Sequence, residues 1–160
     1  MAEMLHSEDI QEVLESPKWI RRMKRLRLSQ VEIDVDYCRN YEFSFTHDRV
    51  SRLHAIVPIS DFPECCGIAV ISSLFVDVRC RNLGLGRFFL ELVVEAYRQT
   101  ISKVYISPGI LLAATADRHE SIYQVYGERI LRRGRWKQLQ GFTNPITRHN
   151  VILWSKDLTK

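Results

Sequence analysis

The chain has 160 residues, 46% hydrophobic and 26% charged, with 23 Lys and Arg against 19 Asp and Glu for a net charge of +4. That length suits one domain able to bury a substantial core. Its first residues, MAEMLHSEDIQEVLE, carry acids where a secretory signal needs an apolar centre, and nowhere do about 18 apolar residues run together, so a cytoplasmic protein is expected. The basic balance favours acidic ligands, either a phosphorylated cofactor or a nucleic acid, without choosing between them.

Acidic and apolar residues alternate at helical spacing from Asp9 to Glu15, and Ser16-Pro17 reads as an N-cap followed by proline at the first position of a second helix, Pro17 to about Leu26. From Val31 to Val57 the runs VEIDVDY, YEFSFT and RLHAIVPI predict antiparallel strands, with turns at Arg39-Asn40 and His47-Asp48. SDFPECCG (Ser60 to Gly67) is a loop, and Ile68 to Val78 is apolar enough for one central strand. Next comes the most regular helical pattern: Leu85, Phe88, Phe89, Leu92, Val93, Ala96 and Tyr97 on one face, Arg87, Glu91, Glu95 and Arg98 on the other. KVYISPGILLAAT holds one strand, cored either at Val104 to Ile106 or at Ile110 to Ala114. HESIYQVYGERIL reads as a helix, and RWKQLQGF with NVILWSKDL as a closing hairpin. No repeat, low-complexity segment or linker interrupts the chain, so residues 1–160 are expected to form a single domain.

Cys38, Cys65, Cys66 and Cys80 stand at spacings unlike a zinc framework, and the adjacent pair suits neither chelation nor a bridge. Reduced thiols without a catalytic duty are expected. Two basic clusters, KWIRRMKRLR (Lys18 to Arg27) and RILRRGRWK (Arg129 to Lys137), each contain a Trp able to cover a base or a guanidinium. Each cluster fits either a solvated helix face or a polyanion-binding face.

The segment RCRNLGLGR, Arg79 to Arg87, places two glycines and three arginines between the central strand and the main helix. A helix N-terminus presents unpaired N–H groups and about half a positive charge, which stabilise an anion. Gly84 and Gly86 leave those groups approachable. A P-loop needs Gly-Lys-Ser/Thr, but Gly86 is followed by Arg87-Phe88. A dinucleotide fold needs a third glycine where this chain has Phe89.

With Leu74, Phe75, Val76, Arg81, Gly84 and Gly86 in register, LFVDVRCRNLGLG resembles motif A of the GNAT superfamily of acyl-CoA-dependent N-acetyltransferases, usually L-Y-V-x-P-x-x-R-G-x-G-x-G. Val78 replaces the usual proline and Asn82 the first glycine; Asn tolerates left-handed backbone better than most residues. The resemblance implies an α/β (α+β) fold, a mixed, strongly twisted central sheet flanked by helices, with acetyl-CoA in a V-shaped split between two central strands. It also implies that the backbone N–H groups of Leu83, Gly84, Leu85, Gly86 and Arg87 take the pyrophosphate, with Arg81 and Asn82 also among the cofactor-binding residues and Arg79, Arg81 and Arg87 as outlying cations. Phe75 and Val76 would pair with the pantetheine amides like an added strand.

Acetyl transfer needs a neutral amine, stabilisation of an oxyanion and a proton for the departing thiolate; it requires no metal. The N–H of Val76 is the expected oxyanion donor. By resemblance, Tyr126 in HESIYQVY is the candidate acid. Where many family members place a base Glu, the strands here offer Ile68 and Ala114 with their neighbours, so Glu64, His119 and His54 are the candidate bases, through water. The implied activity is transfer of an acetyl group from acetyl-CoA to a small amine, an amino terminus or a lysine. Alternatives are a toxin-like enzyme acting on aminoacyl-tRNA and a non-catalytic CoA-binding module. RNA and a second copy of the chain are further candidate partners.

Overall fold

The computed structural model describes residues 5–36, 40–61, 68–71, 75–80, 83–104, 110–116, 129–138, 142–143 and 150–158. In chain order the elements are α1 (Ser7–Leu14), α2 (Pro17–Arg25), β1 (Leu28–Val35), β2 (Asn40–His47), β3 (Val50–Asp61), β4 (Ile68–Ile71), β5 (Phe75–Val76), a 3-10 turn (Val78–Cys80), α3 (Leu85–Val104), β6 (Ile110–Ala116), β7 (Lys137–Gln138), β8 (Phe142–Thr143) and β9 (Asn150–Asp157). Residues 129–133 are also helical. Among the described residues no helix is long and apolar enough to cross a membrane.

The strands join into one mixed sheet in the order β1-β2-β3-β4-β6-β9-β7, with β5 on β3 and β8 on β9. Only β4 and β6 pair in parallel among the described strands, from Ile68↔Ile110 to Ile71↔Ala113. In β2 the buried Tyr41, Phe43 and Phe45 alternate with Glu42, Ser44 and Thr46, so one face of the strand is apolar and the other polar. Cross-strand pairing extends the apolar face to Leu53, Ala55 and Val57 of β3.

The helices cover that face. Phe89 of α3 stacks on Phe43 and Phe45 at 4.7 and 5.0 Å between centroids, and Tyr41 donates its hydroxyl to the buried carbonyl of Leu5 at 2.7 Å. Leu85, Phe88, Phe89, Leu92, Val93 and Ala96 are all buried, as the three- and four-residue spacing predicts. The closing hairpin also forms, with Lys137↔Ser155 and Phe142↔Val151 in register.

One expectation is corrected. The strand expected from Ile68 to Val78 ends at Val76: β4 and β5 both pair with β3, residues 72–74 lie outside the described residues, and Val78–Cys80 turns as a 3-10 helix held by Asp77. Between Ile56↔Phe75 and Ile59↔Ile71, β3 advances three residues while the facing chain advances four. As expected, Ser16 is the N-cap of α2 with Pro17 at the first helical position; its hydroxyl donates back to the carbonyl of Val13 at 2.7 Å. Val104 ends α3, which leaves the strand to Ile110–Ala116.

Candidate functional site

The amides at the start of α3 form the centre of the site. Gly84 adopts φ +81, a left-handed conformation that costs a residue with a Cβ, and its carbonyl accepts the Phe88 N–H at 3.2 Å. Gly84 is therefore the N-cap, and the N–H groups of Gly84, Leu85, Gly86 and Arg87 precede the first intrahelical bond. Among the described residues, no carbonyl or side chain accepts from these four, nor from the N–H of Leu83. The first turn holds no acid. An anion placed here meets converging donors and the positive end of a 20-residue helix.

The neighbouring charges are already engaged. Asp77 accepts the backbone N–H and Nε of Arg79 at 3.1 and 3.0 Å, and its second oxygen accepts an Nη2 hydrogen at 2.8 Å. The side-chain bonds from Arg79 hold the Asp77 carboxyl far below the usual carboxylate range. The same Arg79 nitrogen donates to the Arg52 carbonyl at 3.1 Å. Burial alone would raise Glu91, but bonds from Arg87 at 2.7 Å and Arg22 at 2.6 Å outweigh it and keep the carboxyl below its ordinary value. The side chains of Arg79 and Arg87 are thus spent on fixing the turn and the helix.

The β5 backbone has a defined orientation. The Asp77 N–H donates to the His54 carbonyl at 2.9 Å, Val76 sits opposite Ala55 and Phe75 opposite Ile56. Alternate residues of an antiparallel ladder direct their N–H and C=O to opposite edges. Val76 therefore directs its N–H and C=O away from β3, toward the side on which β6 lies. There β6 runs on past Ala113 to Ala116 along β9.

The face of β1 to β3 opposite the helices is open and polar. Asp34 pairs with Glu42, and Glu42 with Ile56; Ser44 pairs with His54. The His54 Nδ1 lies 3.4 Å from Ser44 Oγ and 3.8 Å from a Glu42 oxygen. Phe75 on β5 shares this face and is 45% exposed.

Of the residues singled out in the sequence, Phe75 and Val76 form β5 and Leu83 to Arg87 lead into α3, which packs on β5. Arg81, Asn82, Glu64, His119 and Tyr126 lie outside the described residues. The role of α2 was not legible in the sequence. Leu26 Cδ2 lies 3.7 Å from where a Gly84 Cβ would stand, and Trp19 packs edge-on against Phe88 at 5.4 Å. The tryptophans of the two basic clusters are buried, Trp19 at 4% and Trp136 at 7% exposure, so neither presents a surface for a base. Trp19 covers the Arg22 guanidinium instead, at 4.5 Å.

No protein-family model matches the sequence, and no curated protein matches it in sequence either. Solved structures similar to it include acetyltransferases. A putative acetyltransferase of the GNAT family from Desulfovibrio desulfuricans aligns with TM-score 0.55 and 16% identity over 97% of this chain and 96% of its own. A putative acetyltransferase from Salmonella typhimurium, solved with its cofactor acetyl-CoA, gives 0.53 and 11% over 95% and 86%. The ribosomal L7/L12 alpha-N-protein acetyltransferase in complex with coenzyme A gives 0.53 and 9% over 74% of this chain, which spans only 62% of that protein's length. The fold is that of the GNAT acetyltransferases.

Proposed function

We propose that this protein is an N-acetyltransferase that moves the acetyl group of acetyl-CoA to a primary amine by direct attack in a ternary complex. The observation that carries this reading is the set of amides from Leu83 to Arg87, which meets no acceptor among the described residues, at the start of the main helix of a GNAT fold. Five such donors, with no acid in the first turn of α3, suit a diphosphate. Two of the matched structures hold coenzyme A or acetyl-CoA, which supports the same cosubstrate here.

The residues at hand suggest the following division of labour. The amides of Leu83, Gly84, Leu85, Gly86 and Arg87, with Arg81 and Asn82 before them, bind the pyrophosphate. Phe75 and Val76 align the pantetheine. The neutral amine attacks the thioester carbonyl, the C–S bond breaks, and Tyr126 protonates the departing thiolate. Glu64, His119 or His54 accepts the proton that the amine loses, through water. An amino-terminal acceptor draws support from the ribosomal-protein enzyme among the matched structures.

Isothermal titration calorimetry with CoA, followed by thiol release from acetyl-CoA with a panel of amines and peptides, tests both halves. Micromolar CoA binding with amine-dependent release is expected. Binding without release would leave a CoA-binding module, and no heat with folded protein would remove the reading.

A further inference from the structure

The basic cluster on α2 is not used by the acetyl-transfer reading. In Pro17–Arg25 there are five cations and no acid. Arg22 turns inward, onto Trp19 and Glu91. Lys18, Arg21, Lys24 and Arg25 are all exposed, and none has an ion-pair partner among the described residues. Lys18, Arg21 and Arg25 fall at steps of three and four, one stripe roughly 10 Å long. Asp48 donates its N–H to the Arg27 carbonyl at 2.8 Å and its carboxylate lies 3.6 Å from the Arg27 guanidinium, which brings the β2–β3 turn with exposed Arg49 beside the end of α2.

We infer that the outer face of α2 is a docking surface for duplex RNA, gripped through its phosphodiester backbone. Charge complementarity supplies the attraction, and arginine's forked donors suit phosphate oxygens. The accompanying chemistry narrows the occupant. An anionic lipid surface is held by apolar side chains that insert, but Trp19 is buried, Met23 is half-buried against the core, and Ile20, 42% exposed, is the one large apolar side chain α2 shows to solvent. Single-stranded nucleic acid needs aromatic platforms, and α2 exposes none. Reading DNA bases calls for a helix seated in the major groove, but the inner flank of α2 is covered by Phe88 and Glu91 of α3. A convex cationic stripe that lies across a backbone fits A-form RNA, which is recognised by shape and phosphate contacts.

The test uses the full chain and a fluorescein-labelled RNA duplex of about 20 base pairs, followed by polarisation across a salt series. Neutralising three or four phosphates predicts a log–log salt slope of about −3. The triple variant Lys18→Gln, Arg21→Gln, Arg25→Gln is expected to weaken binding at least about tenfold and to flatten that slope, with thermal unfolding and CoA affinity unchanged. Reversing Lys24 alone, Lys24→Glu, gives a milder loss and keeps the test alive should the triple variant misfold. Equal affinity of variant and parent, stronger binding to the matching DNA duplex, or preference for phosphatidylserine vesicles would each overturn the assignment. Leu26 at the end of α2 lies beside Gly84, so CoA affinity is read on the same variants; CoA binding without RNA binding, or the reverse, tells the two proposals apart.

Discussion

The Arg22 guanidinium of α2 reaches the Glu91 carboxylate of α3 at 2.6 Å, while Arg87, one turn earlier on α3, donates to the other oxygen of Glu91 at 2.7 Å. Both partners of the interhelical pair are mostly shielded, with side-chain exposures of 23% and 29%. A half-screened pair of this kind couples by about 1 kcal/mol. A double-mutant cycle of Arg22→Ala and Glu91→Ala, read by urea unfolding, is expected to return that coupling; a value near zero would show that α2 is held by Trp19 and Leu26 alone.

Acid should weaken the fold through the same carboxylate. Asp77 and Glu91 both titrate below their ordinary values of 3.8 and 4.5, Asp77 through Arg79 and Glu91 through Arg87 and Arg22 acting against burial. A depressed carboxyl contributes stability above its unfolded pKa and loses it as pH falls toward the folded one. Urea midpoints are therefore expected to be flat above about pH 5 and to drop below about pH 4.5. Glu91→Gln should lower the plateau and make the acid limb shallower.

Gly86→Ala separates a structural glycine from a functional one. Alanine is favoured over glycine inside a helix by up to about 1 kcal/mol, so stability should hold or rise. The added methyl stands among the first-turn amides, so CoA affinity should fall about tenfold, as calorimetry would show. Equal affinity would mean that the diphosphate lies elsewhere.

Gly84→Ala should behave differently. The space is adequate, with Leu26 at 3.7 Å, but φ +81 is costly for alanine. A stability loss of about 1 kcal/mol is expected from backbone strain, measurable as a shift in the unfolding midpoint.

Tyr126→Phe is expected to lower turnover about 100-fold with CoA binding nearly intact, the signature of a group used in the reaction and not in the complex. Unchanged turnover in the thiol-release assay would remove the phenol from the mechanism.

Periodicity alone located α3, β2 and β3, because Phe88, Phe89 and Leu92 repeat at helical spacing and Tyr41, Phe43 and Phe45 at strand spacing, and each pattern leaves one face to bury. The two glycines after an apolar run likewise marked where a helix starts with exposed amides. Other features depend on which distant residues meet. Between β5 and β4 the chain facing β3 carries one residue more than β3 does, a mismatch that no local pattern encodes. The fate of the arginines was equally hidden: Arg79 and Arg87 are tied to Asp77 and Glu91, Arg22 is drawn under Trp19, and Lys18, Arg21 and Arg25 are left facing water. A charge's partner is set by packing in three dimensions, and that is why the cationic face of α2 became visible only once α2 was docked on α3.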